Sequence, residues 1–598
     1  MQENWSLKEL CPGFDSPEFQ RDWKALPGAI EAIVRYTAEQ FTAENAADTA
    51  KASAALEGYI KLELDFEPYV KLPEFTSLFL AVNTTDETAL KFSDRLEEIF
   101  AELTPASTGL KGFLRRLPDL DTVIAGHPLL EQHRFFLFEN REMGMHVGSD
   151  AEELLLSKLQ PTGSSAWGKL YELLTSTLLV DITLDGKEQR LPLSMARNLA
   201  YSPDAAVRKT AYEAELAAYP KVEKSIAASL NAIKGEALTI AQLRNYDSVL
   251  DMTLLESRMD RETLDALWGA IGDYLPSFHS FLRAKAKLLG HQNGLPFYDL
   301  FAPMGEVEMQ FTYPQAADYV VKTFSDFSDK LGAFARNAFD TAWIDAFPRE
   351  GKRGGAFCSN LHAIGQSRIM ANFSGSFDGM STFAHELGHA YHGDCLREET
   401  ALNCDYTMPI AETASTFCET LVTQSALKTA TEEETFAILE NYLSGITQVT
   451  ADIYSRFLFE DAVINGRKEG SLSPDELKGI MLDAQKKAYG DGLDHSLLHP
   501  YMWACKPHYY EVSVNYYNFP YAYGQLFALG LYARYLEEGK AFLPKFDALL
   551  ASTGKNNLRD VGLQAGIDIR DKAFWAGSLE TVKTDVERFL ALAENRMK

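Results

Sequence analysis

The segment 378–393 reads DGMSTFAHELGHAYHG, and its His385-Glu386-Leu387-Gly388-His389 core constrains the fold more than any other stretch of the chain. On a helix, residues four apart differ by about 40° around the axis and about 6 Å along it. Both imidazoles can then reach one metal ion from one face. Glu386, one step further round, stands beside the open coordination position, which suits a base acting on metal-bound water. The spacing therefore predicts a helix here and demands a further ligand from elsewhere. Gly388 costs about 1 kcal/mol inside a helix, so another backbone is expected to approach it closely. Gly393 is placed to end the helix. His392 lies about 10.5 Å along the axis from His385; it is expected to pack or hydrogen-bond rather than bind metal.

A hydrolytic zinc site usually has three protein ligands and a water. The next candidate is Glu412 in 409–424, PIAETASTFCETLVTQ. Glu412 and Glu419 are seven apart on a rather apolar helical face, where an unpaired carboxylate is costly. Glu412 is assigned as third ligand, 23 residues after His389, enough chain for a turn and an antiparallel return. Glu419, two turns on, suits an acceptor that orients a ligand histidine. One zinc ion per chain is the expected cofactor, although two histidines and a glutamate suit several divalent ions.

A third patch, 503–524, reads WACKPHYYEVSVNYYNFPYAYG. Attack on a peptide carbonyl creates an oxyanion that needs hydrogen-bond donors, and histidine N–H and tyrosine hydroxyl both serve. His508 and one or two of these tyrosines are the candidates. Most of the tyrosines are expected to be core.

Elsewhere apolar residues recur at helical spacing, as at Leu90, Phe92, Leu96, Ile99, Phe100 and Leu103, and across 205–219, 262–289 and 315–340. Strand-like alternation is rare and clearest at 366–374. The pattern predicts a mainly α protein with a small sheet. Gly and Pro cluster at 104–118, 160–166, 185–204 and 346–355. The boundary between an N-terminal helical lobe, 1–200, and a catalytic lobe, 201–598, is placed at 185–204. Gly351-Lys-Arg-Gly-Gly355 reads as a surface turn or a loop beside a cleft. No phosphate loop, serine elbow or calcium loop is present.

With 57 Lys+Arg against 85 Asp+Glu, the net charge is −28. That excludes a generic nucleic-acid binder and argues against an anionic membrane surface as partner. No apolar run of 18 residues predicts a membrane span, and no secretory signal is visible at the start. Six unpatterned cysteines fit reduced thiols in the cytoplasm.

Taken together, AHELGHAYH (384–392), Glu412-x-x-Ser415-x-x-x-Glu419 and the PHYY…YYNFPYAYG block resemble the oligoendopeptidase F family, relatives of thimet oligopeptidase. SPDAAVRKTAY (202–212), KRGGAFCSN (352–360) and RIMANFSGSFD (368–378) support the likeness, and His127 to about Trp167 is similar to that family's N-terminal lobe. The sequence departs from the family at Gly379, where a second acidic residue often follows the first. The resemblance implies a bilobed, helix-rich zincin with a deep central channel and a small β-sheet beside the active-site helix. It implies an endopeptidase of short peptides, zinc on His385, His389 and Glu412, and Glu386 as base and acid. It also implies that His508 and nearby tyrosines contact substrate. The tyrosine-rich block aligns with Tyr517 and Tyr521 matched, or shifted towards Tyr516 and Tyr523; the first is favoured, with Tyr523 as its rival. The segment 370–374, MANFS, would be an edge strand pairing with substrate. Competing readings are a zinc carboxypeptidase on a similar frame and a non-catalytic peptide-binding relative. Oligomeric state is not legible in the sequence.

Overall fold

The computed structural model describes residues 2–305 and 309–597. Helix α1 (Pro17–Gln40) opens on Ser16, whose hydroxyl accepts from the Phe19 amide at 3.2 Å, with Pro17 in the first turn. Both are ordinary start signals. It buries Phe19, Leu26, Ile30 and Ile33 against α2 (Thr49–Val82), followed by α3 (Glu87–Ala101) and α4 (Thr104–Arg116). The Gly/Pro cluster at 104–118 is thus a helix rather than a loop: Pro105 sits in its first turn, where no amide donor is needed.

The buried apolar residues fall into two main sets. One runs from Leu10 to Leu137 and includes Leu361; the other runs from Tyr171 to Ala593. Strands β1 (Leu179–Leu184) and β2 (Lys187–Pro192) form an antiparallel hairpin through Asp185 and Gly186, both at positive φ. Two such residues make the tight turn that matches strand twist. Val180, Leu193 and Ala196 belong to the second set, so 185–204 is a hairpin packed into that core rather than a linker.

Helices α5 (Ala205–Ala218), α6 (Glu223–Leu243) and α7 (Arg261–Leu288) follow. On α7, Leu264, Leu267, Ile271, Leu275, Phe278 and Leu282 are buried at threes and fours, the stripe expected from 262–289. The expected helical stretch 315–340 is two helices, α8 (Tyr313–Phe327) and α9 (Asp329–Asp340). Ser328 is extended between them and caps the second.

The small sheet has strand order β3 (Ile344–Asp345), β5 (Gln366–Met370), β4 (Phe357–Leu361), with β4 antiparallel and β3 parallel to β5. The expectation of an edge strand at 370–374 is therefore corrected. β5 is central, its end continues along β3 through bonds from Ala371 and Phe373 to Asp345 and Ala346, and the edges are β4 and the two-residue β3. The glycine loop 351–355 is a surface turn, with Arg353, Gly354 and Gly355 exposed, and it is anchored at its start. The Thr84 amide donates to the Gly351 carbonyl and the Arg353 amide to the Ala81 carbonyl, tying the loop to the end of α2, and the buried Lys352 ammonium reaches Asp345, Phe347 and Ala371.

The remaining elements that place the site are α10 (Phe377–Leu396), α11 (Thr413–Thr429), α12 (Ile453–Glu469), α13 (Phe519–Glu538) and α14 (Lys572–Met597). No helix among the described residues is long and apolar enough to cross a membrane.

Candidate metal centre

Ser376 caps α10 by accepting from the Gly379 amide at 3.1 Å, and Phe383, Ala384, Leu387 and Ala390 bury its inner face. A side chain at Gly379 would press on the Phe373 ring at 3.0 Å, a local reason for the missing second acid. At Gly388 an added Cβ would meet the Ala414 oxygen and the Ser415 Cα at 2.5 Å, so α11 approaches in van der Waals contact. That is the close approach anticipated for this glycine. Gly393 differs from its expectation: the helix continues to Leu396, and Gly393 instead leaves room for Asn360 of β4. The Asn360 amide donates to the His389 carbonyl at 3.1 Å, strapping the edge strand to the helix.

This packing brings His385, His389 and Glu412 together as a potential metal group. Glu412 lies at the break between a short turn, Met408–Ala411, and α11. The two Nε2 atoms are 3.1 Å apart, and Glu412 Oε2 lies 3.3 Å from His385 and 3.5 Å from His389. Bonds of about 2.0–2.1 Å at a tetrahedral angle put donors about 3.3–3.4 Å apart. The triangle therefore fits a zinc-sized ion.

The surrounding groups fix these donors. His385 Nδ1 donates to Glu419 Oε1 at 3.0 Å, which turns Nε2 inward. The Ser415 hydroxyl donates to Glu412 Oε2 at 2.9 Å. Burial would lower the pKa of His385, but the bond and charge of Glu419, with Glu386 and Glu412 nearby, lift it to about 9. Burial would raise Glu412, but His389, His385 and Ser415 hold it at about 2. The three carboxylates around the imidazoles, Glu386, Glu412 and Glu419, favour a cation there. Glu386 is 5 % exposed and has no hydrogen-bond partner among the described residues; burial raises its pKa against the pull of both histidines. His392, as expected, is a packing residue: it bonds Thr553 at 2.8 Å and stacks on Tyr406.

A side chain at Gly524 would touch the Glu412 Cβ at 3.0 Å, so the start of α13 lies against the third ligand. Tyr521 there is exposed and senses the Glu412 charge. Tyr517 packs edge-on against Tyr521 with ring centres 5.8 Å apart, and His508 lies 6.4 Å from Tyr517. The rivals face elsewhere: Tyr523 is fully buried against Phe527 and Trp575, and Tyr516 bonds Asp461 at 2.9 Å. His508 Nε2 is buried without a partner. Burial, then Arg456, Lys506 and Lys234, push this ring down to about 3, so it is neutral.

Sequence reasoning missed what holds this loop. Lys234 of α6, fully buried, bonds Glu460 of α12 at 2.8 Å and Asn515 at 2.9 Å, and Asn518 donates to the other Glu460 oxygen at 3.0 Å. The available signal was a lysine four residues after Leu230 on an apolar face.

Three cavities, of about 360, 430 and 180 Å³, share lining residues one with the next. The first is lined by Glu419, Ser381 and Thr382; it shares Phe377, Asp378 and Asn441 with the second, which shares Tyr201, Phe301 and Gln448 with the third.

Residues 198–566 match the model of peptidase family M3, and residues 118–179 match that of the oligopeptidase F N-terminal region. The chain is 28% identical over 443 residues to the group B oligopeptidase PepB of Streptococcus agalactiae, covering 73% of this chain and 71% of that protein. It is 27% identical over 435 residues to the oligopeptidase PepF of Bacillus subtilis, covering 71% of this chain and 63% of that one. Among solved structures, a putative peptidase from Chlamydophila abortus superposes with a TM-score of 0.83 at 20% identity, over 99% of this chain and 98% of that one. The oligoendopeptidase-F of Enterococcus faecium superposes at 0.68 and 19% identity, over 94% and 98%.

Proposed function

The chain belongs to peptidase family M3, and from that premise we propose that it hydrolyses internal bonds of short peptides with one zinc ion held by His385, His389 and Glu412. The observation that carries this reading is the donor triangle of 3.1, 3.3 and 3.5 Å beside an unpartnered, buried Glu386. A metal there supplies Lewis acidity, lowering the pKa of a coordinated water and polarising the scissile carbonyl.

The protein's own groups do the rest. Glu386 takes the water's proton on its carboxylate and later hands it to the leaving amine nitrogen. Its raised pKa suits both halves of that task. The His508 ring and the Tyr517 or Tyr521 hydroxyl donate to the carbonyl oxygen as it gains charge. Glu419 keeps His385 in the tautomer that presents Nε2. The free edge of β4 pairs with the extended peptide backbone, the role first expected of 370–374. The cavity beside Glu419 has room for an extended peptide and none for a folded domain. We further propose that the helices up to Leu137 form one lobe of this channel, with the seam in 138–170, between the two buried sets, in place of residue 200. A cytoplasmic location is consistent with six free cysteines.

Glu386→Gln preserves shape and metal ligands. It is expected to keep stoichiometric zinc and lose about 10²–10⁴-fold in kcat on a quenched peptide. Near wild-type turnover would refute the mechanism. Mass spectrometry of the products separates internal cuts from the stepwise shortening of a carboxypeptidase.

A further inference from the structure

The cavity of about 360 Å³ beside Glu419 carries charge of one sign. Two carboxylates line it, Asp378 and Glu419, and among the described residues no lysine or arginine does. Glu419 gives Oε1 to His385, yet its side chain is still 40% exposed and pairs with no lysine or arginine. The Asp378 carboxylate is exposed and accepts only from the Asn441 amide, at 3.2 Å. In the same lining, the Tyr442 hydroxyl is buried without a hydrogen-bond partner, and Ile438 and Ile446 are apolar wall. The adjoining cavity, which shares Asp378, adds Lys285 and Glu440, but these bond each other at 2.6 Å and cancel. Such a space suits a side chain with an apolar stem and a cationic head, the build of lysine and arginine.

Its place relative to the metal centre follows from α10. Thr382, Ser381 and Asp378 precede His385 by three, four and seven residues, so this wall continues the face that carries both imidazoles. Asp378 therefore lies about 10.5 Å along the axis from His385. An extended peptide advances about 3.3 Å per residue, which puts Asp378 about three residues from a bond held at the metal. The direction follows from β4. The Glu386 charge acts on the Cys358 thiol, and Asn360 bonds the His389 carbonyl, so β4 and α10 advance the same way. A peptide antiparallel to β4, the more stable pairing, runs its C-terminal half back towards Asp378.

We propose that this cavity takes a lysine or arginine side chain from the first three residues after the scissile bond, with Asp378 and Glu419 as its counter-charges. The Tyr442 oxygen accepts from the cationic head. The enzyme is thereby selective for peptides that are basic on that side of the cut. This inference rests on the peptidase reading above.

The test uses quenched peptides of equal length and charge. Each carries one arginine, placed from three residues before to three after a cleavable bond, with citrulline, its uncharged isostere, at the other positions. Product masses locate every cut. Wild-type enzyme is expected to cut so that the arginine falls first, second or third after the bond, with kcat/KM about fivefold or more above peptides whose arginine precedes it, as for one ion pair open to water. Asp378→Lys is expected to abolish that preference and to favour glutamate in the arginine's place. Preference for arginine before the bond, equal rates wherever it stands, or an unchanged preference in Asp378→Lys each overturn the inference and leave the peptidase reading intact. Cleavage of none of the peptides overturns the peptidase reading, and this inference with it.

Discussion

Replacing Gly388 by alanine tests whether helix packing sets the metal geometry. The new Cβ would stand 2.5 Å from the Ala414 oxygen and the Ser415 Cα, against 3.4 Å for ordinary contact, so α10 and α11 must part by about 0.9 Å. His385 and His389 ride on α10, and Glu412 leads into α11. A shift of that size moves Glu412 from bonding distance to beyond it, since a zinc–oxygen bond is about 2.0–2.2 Å. Two terms oppose each other in stability. Overpacking costs about 1–3 kcal/mol, and alanine regains about 1 kcal/mol of helix propensity. The net loss is about 0–2 kcal/mol, a few degrees at most in a chain of this size. Zinc affinity and kcat/KM are expected to fall more than tenfold while circular dichroism and Tm barely change. Metal titration and peptide cleavage on the same preparation measure both. Full zinc affinity and full activity in Gly388→Ala would refute the claim that this contact sets the ligand triangle.

His508→Asn should leave zinc content intact and lower kcat about 10²–10³-fold, as for loss of one oxyanion donor; unchanged kcat would remove His508 from the reaction. Asp585 is buried and its pKa is pushed up to about 6 by burial, against the pull of Arg588 and Gln424. Its ionised form is disfavoured in the fold, so the penalty is absent below the unfolded carboxylate's pKa and grows as pH rises through about 4 to 6. Asp585→Asn is therefore expected to stabilise the protein by about 1–3 kcal/mol at pH 8 and by nothing at pH 4; an equal effect at both would refute the assignment.

The metal helix was legible because its information is local: His385, Glu386 and His389 need only helical periodicity to share a face. Glu412 and Glu419 were reachable from an apolar face that tolerates carboxylates only with partners. What escaped depends on distant chain. β3 is two residues long and shows no alternation, yet by pairing with β5 it makes β5 central and leaves β3 and β4 as the edges. Gly393 read as a helix stop because Asn360, which fills its place, lies 33 residues earlier. Asp185-Gly186 carried a hairpin signal inside the Gly/Pro cluster that was read as a lobe boundary. Tyr516 and Tyr523 are buried while Tyr521 is exposed, a difference that sequence spacing does not carry.

The central claim is that two imidazoles and one carboxylate hold a single zinc ion. Zinc K-edge absorption on the purified, zinc-replete protein tests it directly. The expected result is one zinc per chain with only nitrogen and oxygen neighbours at about 2.0–2.2 Å and two imidazoles, one of which disappears in His389→Ala. A sulfur neighbour at about 2.3 Å, or an unchanged spectrum in His389→Ala, would contradict it.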